Sequence, residues 1–198
     1  LNNIYVNRWY YYRDLSIKIT PKLSLTLTES IISTGENRNI EWYYLTPFGL
    51  FLAEQVHNLS REDGDTLSIN NDNYFIGLNL EYAINSNTTL NTSIIIDDFQ
   101  IDQEDRDKYQ DVFGIELGMN YNKNNTNIKL KYHYASPWLY LNNGLFTNYQ
   151  INNHPIGLRY PHSHAIELDI NHVIKKSMIQ TIIYFGERGN QSLNTDWA

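Results

Sequence analysis

Cysteine and long apolar runs are both absent from this 198-residue chain. Without cysteine there is no disulfide framework, no thiolate zinc site and no cysteine nucleophile. Because no run reaches about 18 apolar residues, the sequence also excludes a transmembrane helix. The net charge of -7 argues against nucleic-acid binding, which depends on basic side chains that meet phosphates. What remains is a chain rich in Asn, Tyr, Ile, Leu and Thr, a composition that favours strands and turns.

Catalytic motifs are absent as well. The sequence contains no Gly-x-Ser-x-Gly elbow, no phosphate-binding glycine loop and no His-Glu-x-x-His zinc-protease motif. We therefore expect a protein that is not an enzyme and that needs no cofactor.

Apolar and polar residues alternate with a period of two in eight segments, which is the pattern of half-buried strands. Short turns at Pro21, Asn85, Lys123 and Lys175 join these segments into four hairpins. The predicted strand pairs are Trp9 to Ile19 with Leu23 to Ile32, Tyr74 to Ile84 with Thr89 to Asp97, Val112 to Tyr121 with Asn127 to Ala135, and His164 to Val173 with Met178 to Phe185.

Connections between the hairpins are much longer than the turns within them: about Ser33 to Asn73, Asp98 to Asp111 and Ser136 to Ser163. Short turns on one side and long loops on the other are typical of bacterial outer-membrane barrels, whose tilted strands need about nine to eleven residues each. The fold class predicted is therefore an all-β, antiparallel transmembrane barrel of about 8 to 10 visible strands, with the short turns toward the periplasm. A soluble β-sandwich or a lipocalin-like barrel is the alternative.

Two features of the chain bear on its extent. Leu1 to Arg8 lack the pattern of a signal peptide, and Asn194 to Ala198 do not form an alternating strand. We expect residues 1–198 to form a single β-barrel domain that is part of a longer barrel. Ile40 to Asn58 is ambiguous between a strand that ends at Pro47 and a short helix, and a further strand pair between Ser33 and Asn73 would raise the count to ten.

Charged residues alternate with apolar ones on the later strands and are candidates to line a polar interior. They are Glu81, Glu116, Lys129, Lys131, His133, Glu167 and Asp169. The carboxylates among them also permit an acid and base pair. A water-filled or packed interior accounts for their placement without catalysis.

Two groups of residues permit metal binding without requiring it. The acidic run from Asp97 to Asp107 offers oxygen ligands to calcium but lacks EF-hand spacing, so a solvated loop is the simpler interpretation. His162 and His164 are two residues apart and His154 lies nearby, but no carboxylate is fixed beside them. We predict no metal site.

Aromatic residues are frequent in the long connections, where rings stack on sugar faces and polar side chains bind hydroxyls. The candidate glycan contacts are Trp42, Tyr44, Trp138, Tyr140, His154, Arg159, Tyr160 and His162. The same aromatics alternatively form an outer aromatic girdle or plug the mouth of the barrel.

Four segments carry a resemblance to a known family: Tyr44 to Pro47, Asp72 to Asn79, Ile95 to Gln100 and Asn153 to Gly157. Together they resemble the carboxyl-terminal part of the capsule-assembly Wzi-like family of outer-membrane barrels, which includes gliding-motility proteins of Bacteroidetes. The resemblance implies a non-catalytic barrel in the outer membrane that contacts lipid, associates with surface polysaccharide and has other outer-membrane proteins as partners. A channel, or a scaffolding subunit of a larger outer-membrane complex, is the alternative function.

Overall fold

The computed structural model of the chain describes residues 6–36, 38–46, 51, 71–98, 111–140, 148, 150–151, 154–155 and 161–190. Eight of its strands form one antiparallel sheet, and two short strands pair with each other apart from it. The strands are β1 (Val6–Thr20), β2 (Leu23–Glu36), β3 (Asn71–Asn85), β4 (Thr88–Asp98), β5 (Val112–Lys123), β6 (Thr126–Ala135), β7 (Gln150–Ile151), β8 (His154–Pro155), β9 (Ser163–Ile174) and β10 (Ser177–Arg188).

Strand order in the large sheet is β1-β2-β3-β4-β5-β6-β9-β10, with every neighbouring pair antiparallel. All four predicted hairpins are confirmed, and each strand begins or ends within a few residues of its predicted bounds. Asn124 and Lys175, each the first residue of a two-residue turn, have φ of 53° and 55°. Positive φ at a tight turn is the backbone conformation that reverses a twisted hairpin.

The sheet is open rather than closed into a barrel. Within the described residues, β1 pairs only with β2 and β10 pairs only with β9. The prediction of an all-β antiparallel fold with about 8 to 10 strands is confirmed by the eight strands of this sheet, whereas the strands described do not form a closed ring.

The strand register divides the sheet into two chemically different faces. We call one the apolar face, defined by a row that crosses all eight strands: Ile17, Leu25, Leu80, Thr92, Leu117, Tyr132, Ile166 and Phe185. The polar face is defined by the neighbouring row: Ser16, Thr26, Asn79, Ser93, Glu116, His133, Ala165 and Gly186. Successive side chains of a strand point to opposite sides of the sheet. The same strand register therefore determines which residues are neighbours in both rows.

From Ile40 to Thr46 the ambiguous segment after β2 is neither a strand nor an α-helix. Residues 38–46 contain a 3-10 helix from Trp42 to Leu45. Within the described ranges the structure contains no helix that could span a membrane.

Candidate functional site

Packing is concentrated at the end of the sheet that carries the long connections, and it occurs on both faces. On the polar face, Leu139 and Tyr140 of the β6–β9 connection cover strand residues and form what we call the mouth cluster: Ile32, Phe75, Val112, Ala135, Leu139 and Tyr140. The rings of Phe75 and Tyr140 stack with centroids 5.5 Å apart. Residues 136–140 at the start of this connection therefore fold over the polar face.

Ser136 holds the connection in place through its backbone and its hydroxyl. Its backbone N–H donates to the carbonyl of Phe113 at 3.0 Å, and its Oγ accepts from the N–H of Phe113 at 3.0 Å. Its carbonyl accepts from His162 N–H at 2.9 Å and from Leu139 N–H at 3.3 Å. Ser136 thus brings together two parts of the chain that lie more than twenty residues apart.

On the apolar face residues 38–46 and Phe51 of the β2–β3 connection cover the same end of the sheet. Tyr44 and Phe51 pack on Tyr11, Ile31 and Tyr74. These three strand residues point to the same side of the sheet as the apolar face. The Tyr44 ring lies 4.8 Å from that of Tyr11 and 5.4 Å from that of Phe51. We call residues 38–46 the anchored segment.

An ion-pair network fixes the anchored segment to β3. Arg38 donates to both carboxylate oxygens of Asp72, at 2.6 and 3.0 Å, and its Nε donates to Glu41 at 2.6 Å. The Tyr44 hydroxyl donates to Asp72 at 2.7 Å. These are charge-assisted hydrogen bonds in a mostly buried site, where they are stronger than in water.

Protonation in this network follows from burial and neighbouring charge. Burial raises the pKa of Tyr44, and the carboxylate of Asp72 raises it further by charge and by hydrogen bonding. Burial lowers the pKa of Arg38, but bonds and charges from Glu41 and Asp72 outweigh this, so its pKa lies above the usual value. Arg38 is therefore a permanent cation and Tyr44 a permanent donor at physiological pH.

A second ion pair joins β1 to β2 beside the anchored segment. The Nε of Arg13 donates to Glu29 at 2.8 Å, and the Tyr74 hydroxyl donates to the other oxygen of Glu29 at 2.8 Å. Arg13 also donates to the carbonyl of Thr46 at 3.0 Å and lies 4.0 Å above the Phe51 ring. This pair was not predicted, although the sequence carries a signal for it. Arg13 and Glu29 occupy positions of β1 and β2 where the alternation would place apolar residues, and the register sets them opposite each other.

All seven residues predicted to line a polar interior lie on the polar face. Lys131 pairs with Glu116 at 3.5 Å, and the register sets Lys131 opposite Glu167 and Lys129 opposite Asp169. Asp169 accepts from Asn171 at 3.0 Å and from Gln180 at 3.1 Å. Buried His133 has its ring 6.0 Å from that of Tyr184. Lys131 of β6 thus lies between a carboxylate of β5 and one of β9, and Lys129 lies opposite a carboxylate of β9.

The candidate glycan contacts are placed in different surroundings. Tyr44 and Tyr140 are buried, so their rings pack in the two clusters and are not presented at a surface. Trp138 is half-buried against the mouth cluster, and His162 is half-buried beside Ser136. Trp42 is 78% exposed. The backbone of His154 lies in β8, and Arg159 and Tyr160 lie outside the described residues.

The two histidines proposed as a metal pair have different neighbours. His162 precedes β9 with φ of 48°, and its carbonyl accepts from Gly189 N–H at 2.7 Å. His164 lies on β9 with its Nε2 3.8 Å from Glu187. Asp97, at the start of the acidic run, accepts from Tyr140 N–H at 2.9 Å, and residues 99–110 lie outside the described ranges. Within those ranges no three His, Asp or Glu side chains are grouped to hold a metal ion.

Comparison with known proteins leaves this architecture without a family. No protein-family model, no curated protein and no solved structure matches the chain. The resemblance to capsule-assembly barrels therefore stays a prediction from sequence.

Proposed function

We propose that this chain forms part of the wall of a bacterial outer-membrane β-barrel. Its apolar face contacts lipid and its polar face lines the interior. In this proposal the protein is a non-catalytic component of the cell envelope.

One observation carries the proposal: the apolar face runs across eight strands, and the described residues leave most of its length uncovered. Leu117 is 47% exposed, Ile166 49% and Phe185 77%, whereas Ile31 under the anchored segment is fully buried. Soluble monomers rarely expose a contiguous apolar surface larger than a few hundred Å². Lipid is the partner that stabilises such a surface without a second protein layer.

The geometry of the apolar band fits a bilayer. On β5 it extends from Phe113 to Tyr121, which matches the about nine to eleven residues of a tilted membrane strand. The polar face over the same length carries small residues and paired charges, as the interior of an outer-membrane barrel does. A soluble sandwich would need a second layer over this face, and among the described residues only Tyr44, Phe51 and their neighbours cover part of it.

Adjacent residues of β3 provide the test, because Leu80 lies on the apolar face and Asn79 on the polar face. In phospholipid vesicles we expect Leu80→Lys to lower the free energy of unfolding by about 2–4 kcal/mol, the cost of a lysine at the bilayer midplane. The matched Asn79→Lys variant should change it by no more than about 0.5 kcal/mol. Urea titration of both variants measures the difference, and equal values would mean that the apolar face does not contact lipid.

A second part of the proposal concerns what the barrel binds. We propose that the mouth associates with surface polysaccharide, because Trp138 packs on the mouth cluster and the His162 N–H donates to the Ser136 carbonyl at the same long-connection end. An open channel is less well supported, since Leu139 and Tyr140 fold over the polar face at this end.

Retention on immobilised capsular polysaccharide tests this binding. We expect Trp138→Ala to weaken retention about tenfold, which corresponds to about 1.4 kcal/mol for one stacked ring. Trp42→Ala is the matched control, because the segment that carries Trp42 packs on the apolar face. Equal retention of Trp138→Ala and the unchanged protein would remove the mouth from the proposal.

A further inference from the structure

The anchored segment has an inner and an outer side of opposite character. Its ionic groups are engaged inward, since Arg38 pairs with Asp72 and Glu41. Its exposed side chains are uncharged, and three of them are large and apolar: Ile40 is 45% exposed, Leu45 54% and Trp42 78%.

The 3-10 helix explains why Trp42 and Leu45 act together. In a 3-10 helix the side chains at i and i+3 lie on the same side. Trp42 and Leu45 therefore form one apolar edge, while Tyr44 between them points into the packed cluster at 3% exposure.

The strand register gives the position of this edge along the barrel wall. The Arg13–Glu29 pair lies one row beyond Leu15 and Leu27, about 7 Å further along the strands. Arg13 holds the carbonyl of Thr46, and the Tyr11 hydroxyl accepts from Glu41 N–H at 2.9 Å in the next row. The segment therefore lies over the apolar face at the level where the exposed apolar residues of β1, Leu15 and Ile17, give way to buried ones.

We propose that Ile40, Trp42 and Leu45 form a membrane-interface anchor, with the Trp42 indole at the boundary between lipid headgroups and acyl chains. This inference rests on the proposed membrane function and deepens it, because it assigns a loop-borne contact to the outer surface of the wall. Indole is suited to that boundary because its ring is apolar and its N–H donates a hydrogen bond. The uncharged outer side of the segment continues the apolar face. The inward ion pairs fix the position of the segment along the strands.

The inference also gives Trp42 a role different from the glycan contact predicted from sequence. A glycan-binding ring would be presented at the mouth, whereas Trp42 belongs to a segment that packs on the apolar side of the sheet.

Depth-dependent quenching tests the anchor in the full chain, which has no cysteine of its own. Single variants Trp42→Cys, Leu80→Cys and Glu81→Cys are labelled with an environment-sensitive nitrobenzoxadiazole dye in phosphatidylcholine vesicles. Spin-labelled lipids with the quencher at a shallow or a deep acyl position, and aqueous iodide, then report the location of each dye.

We expect the dye at position 42 to be quenched several-fold more by the shallow lipid than by the deep lipid, and the dye at position 80 to show the reverse. The dye at position 81 should be quenched by iodide. If position 80 lies deep but position 42 is quenched as strongly by iodide as position 81, the anchor is refuted and the barrel proposal stands. If position 80 is itself quenched by iodide, the membrane proposal fails and the anchor fails with it.

Discussion

Two ion pairs on the apolar side lie, at the residue scale, just past the point where the exposed apolar residues of β1 end. Arg13 and Glu29 lie one row beyond Leu15 and Leu27, and Asp72, the partner of Arg38, lies two residues beyond Tyr74 on β3. Isolated charges there would be costly to bury, but each carboxylate accepts from both a guanidinium and a tyrosine hydroxyl. The pairs therefore allow buried charges at this end of the apolar side.

Asp72 is the residue on which the anchored segment depends most. Asp72→Asn keeps the size of the side chain but removes the negative charge to which Arg38 and Tyr44 both donate. We therefore expect the free energy of local opening of the anchored segment to fall by about 2–3 kcal/mol. The amides of Tyr44 and Thr46, which are bonded within the segment, should then exchange roughly 30- to 140-fold faster. Hydrogen exchange followed by mass spectrometry measures this change.

Asp14→Asn is the control for that measurement. Asp14 is exposed on the polar side of β1 and accepts from Thr28 at 2.6 Å. Its replacement should leave exchange in the anchored segment unchanged, because exposed polar contacts contribute little. Equal exchange rates in both variants would show that the Arg38–Asp72 pair does not hold the segment.

Strands and turns were predictable at the scale of elements because each carries a local signal. On β2, for example, Leu23, Leu25 and Leu27 alternate with Ser24 and Thr26. Pro21 lies in the turn before β2, Asn124 in the turn before β6 and Lys175 in the turn before β10. Alternation of this kind depends only on the side of the sheet to which each residue points. The hairpin register therefore followed from the sequence.

The outer ends of β2 and β3 were not predictable in the same way. β2 continues to Glu36 and β3 begins at Asn71, beyond the predicted Ile32 and Tyr74. The added residues include Ser33, Thr34, Asp72 and Asn73, which are polar but buried under the long connections. A pattern that equates burial with apolar side chains cannot find them, because their burial depends on distant residues such as Arg38 and Tyr140.

The burial of two candidate glycan residues was not predictable for a related reason. Tyr44 and Tyr140 look like exposed loop aromatics in sequence, yet long-range packing buries both. The lumen candidates did share one face, because their phase on regular strands was fixed locally.

At the scale of the whole molecule, the two faces of the sheet have opposite surroundings in the proposed barrel. In that proposal lipid covers the apolar face. The anchored segment packs on its outer end, and the mouth cluster packs on the polar face at that same end. Among the described strands β1 and β10 each have one edge without a partner, and in the proposed barrel these edges accept further strands, since an exposed edge presents unpaired backbone groups.

A spin-label scan of β3 tests the central claim most directly. Nitroxides placed one at a time from Leu78 to Tyr82 in vesicles are measured for collision with oxygen, which concentrates in lipid, and with a water-soluble nickel complex. We expect oxygen accessibility to peak at positions 78, 80 and 82 and nickel accessibility to peak at 79 and 81, because the register alternates the two faces. High nickel accessibility at positions 78, 80 and 82 would place the apolar face in water and contradict the proposed membrane wall.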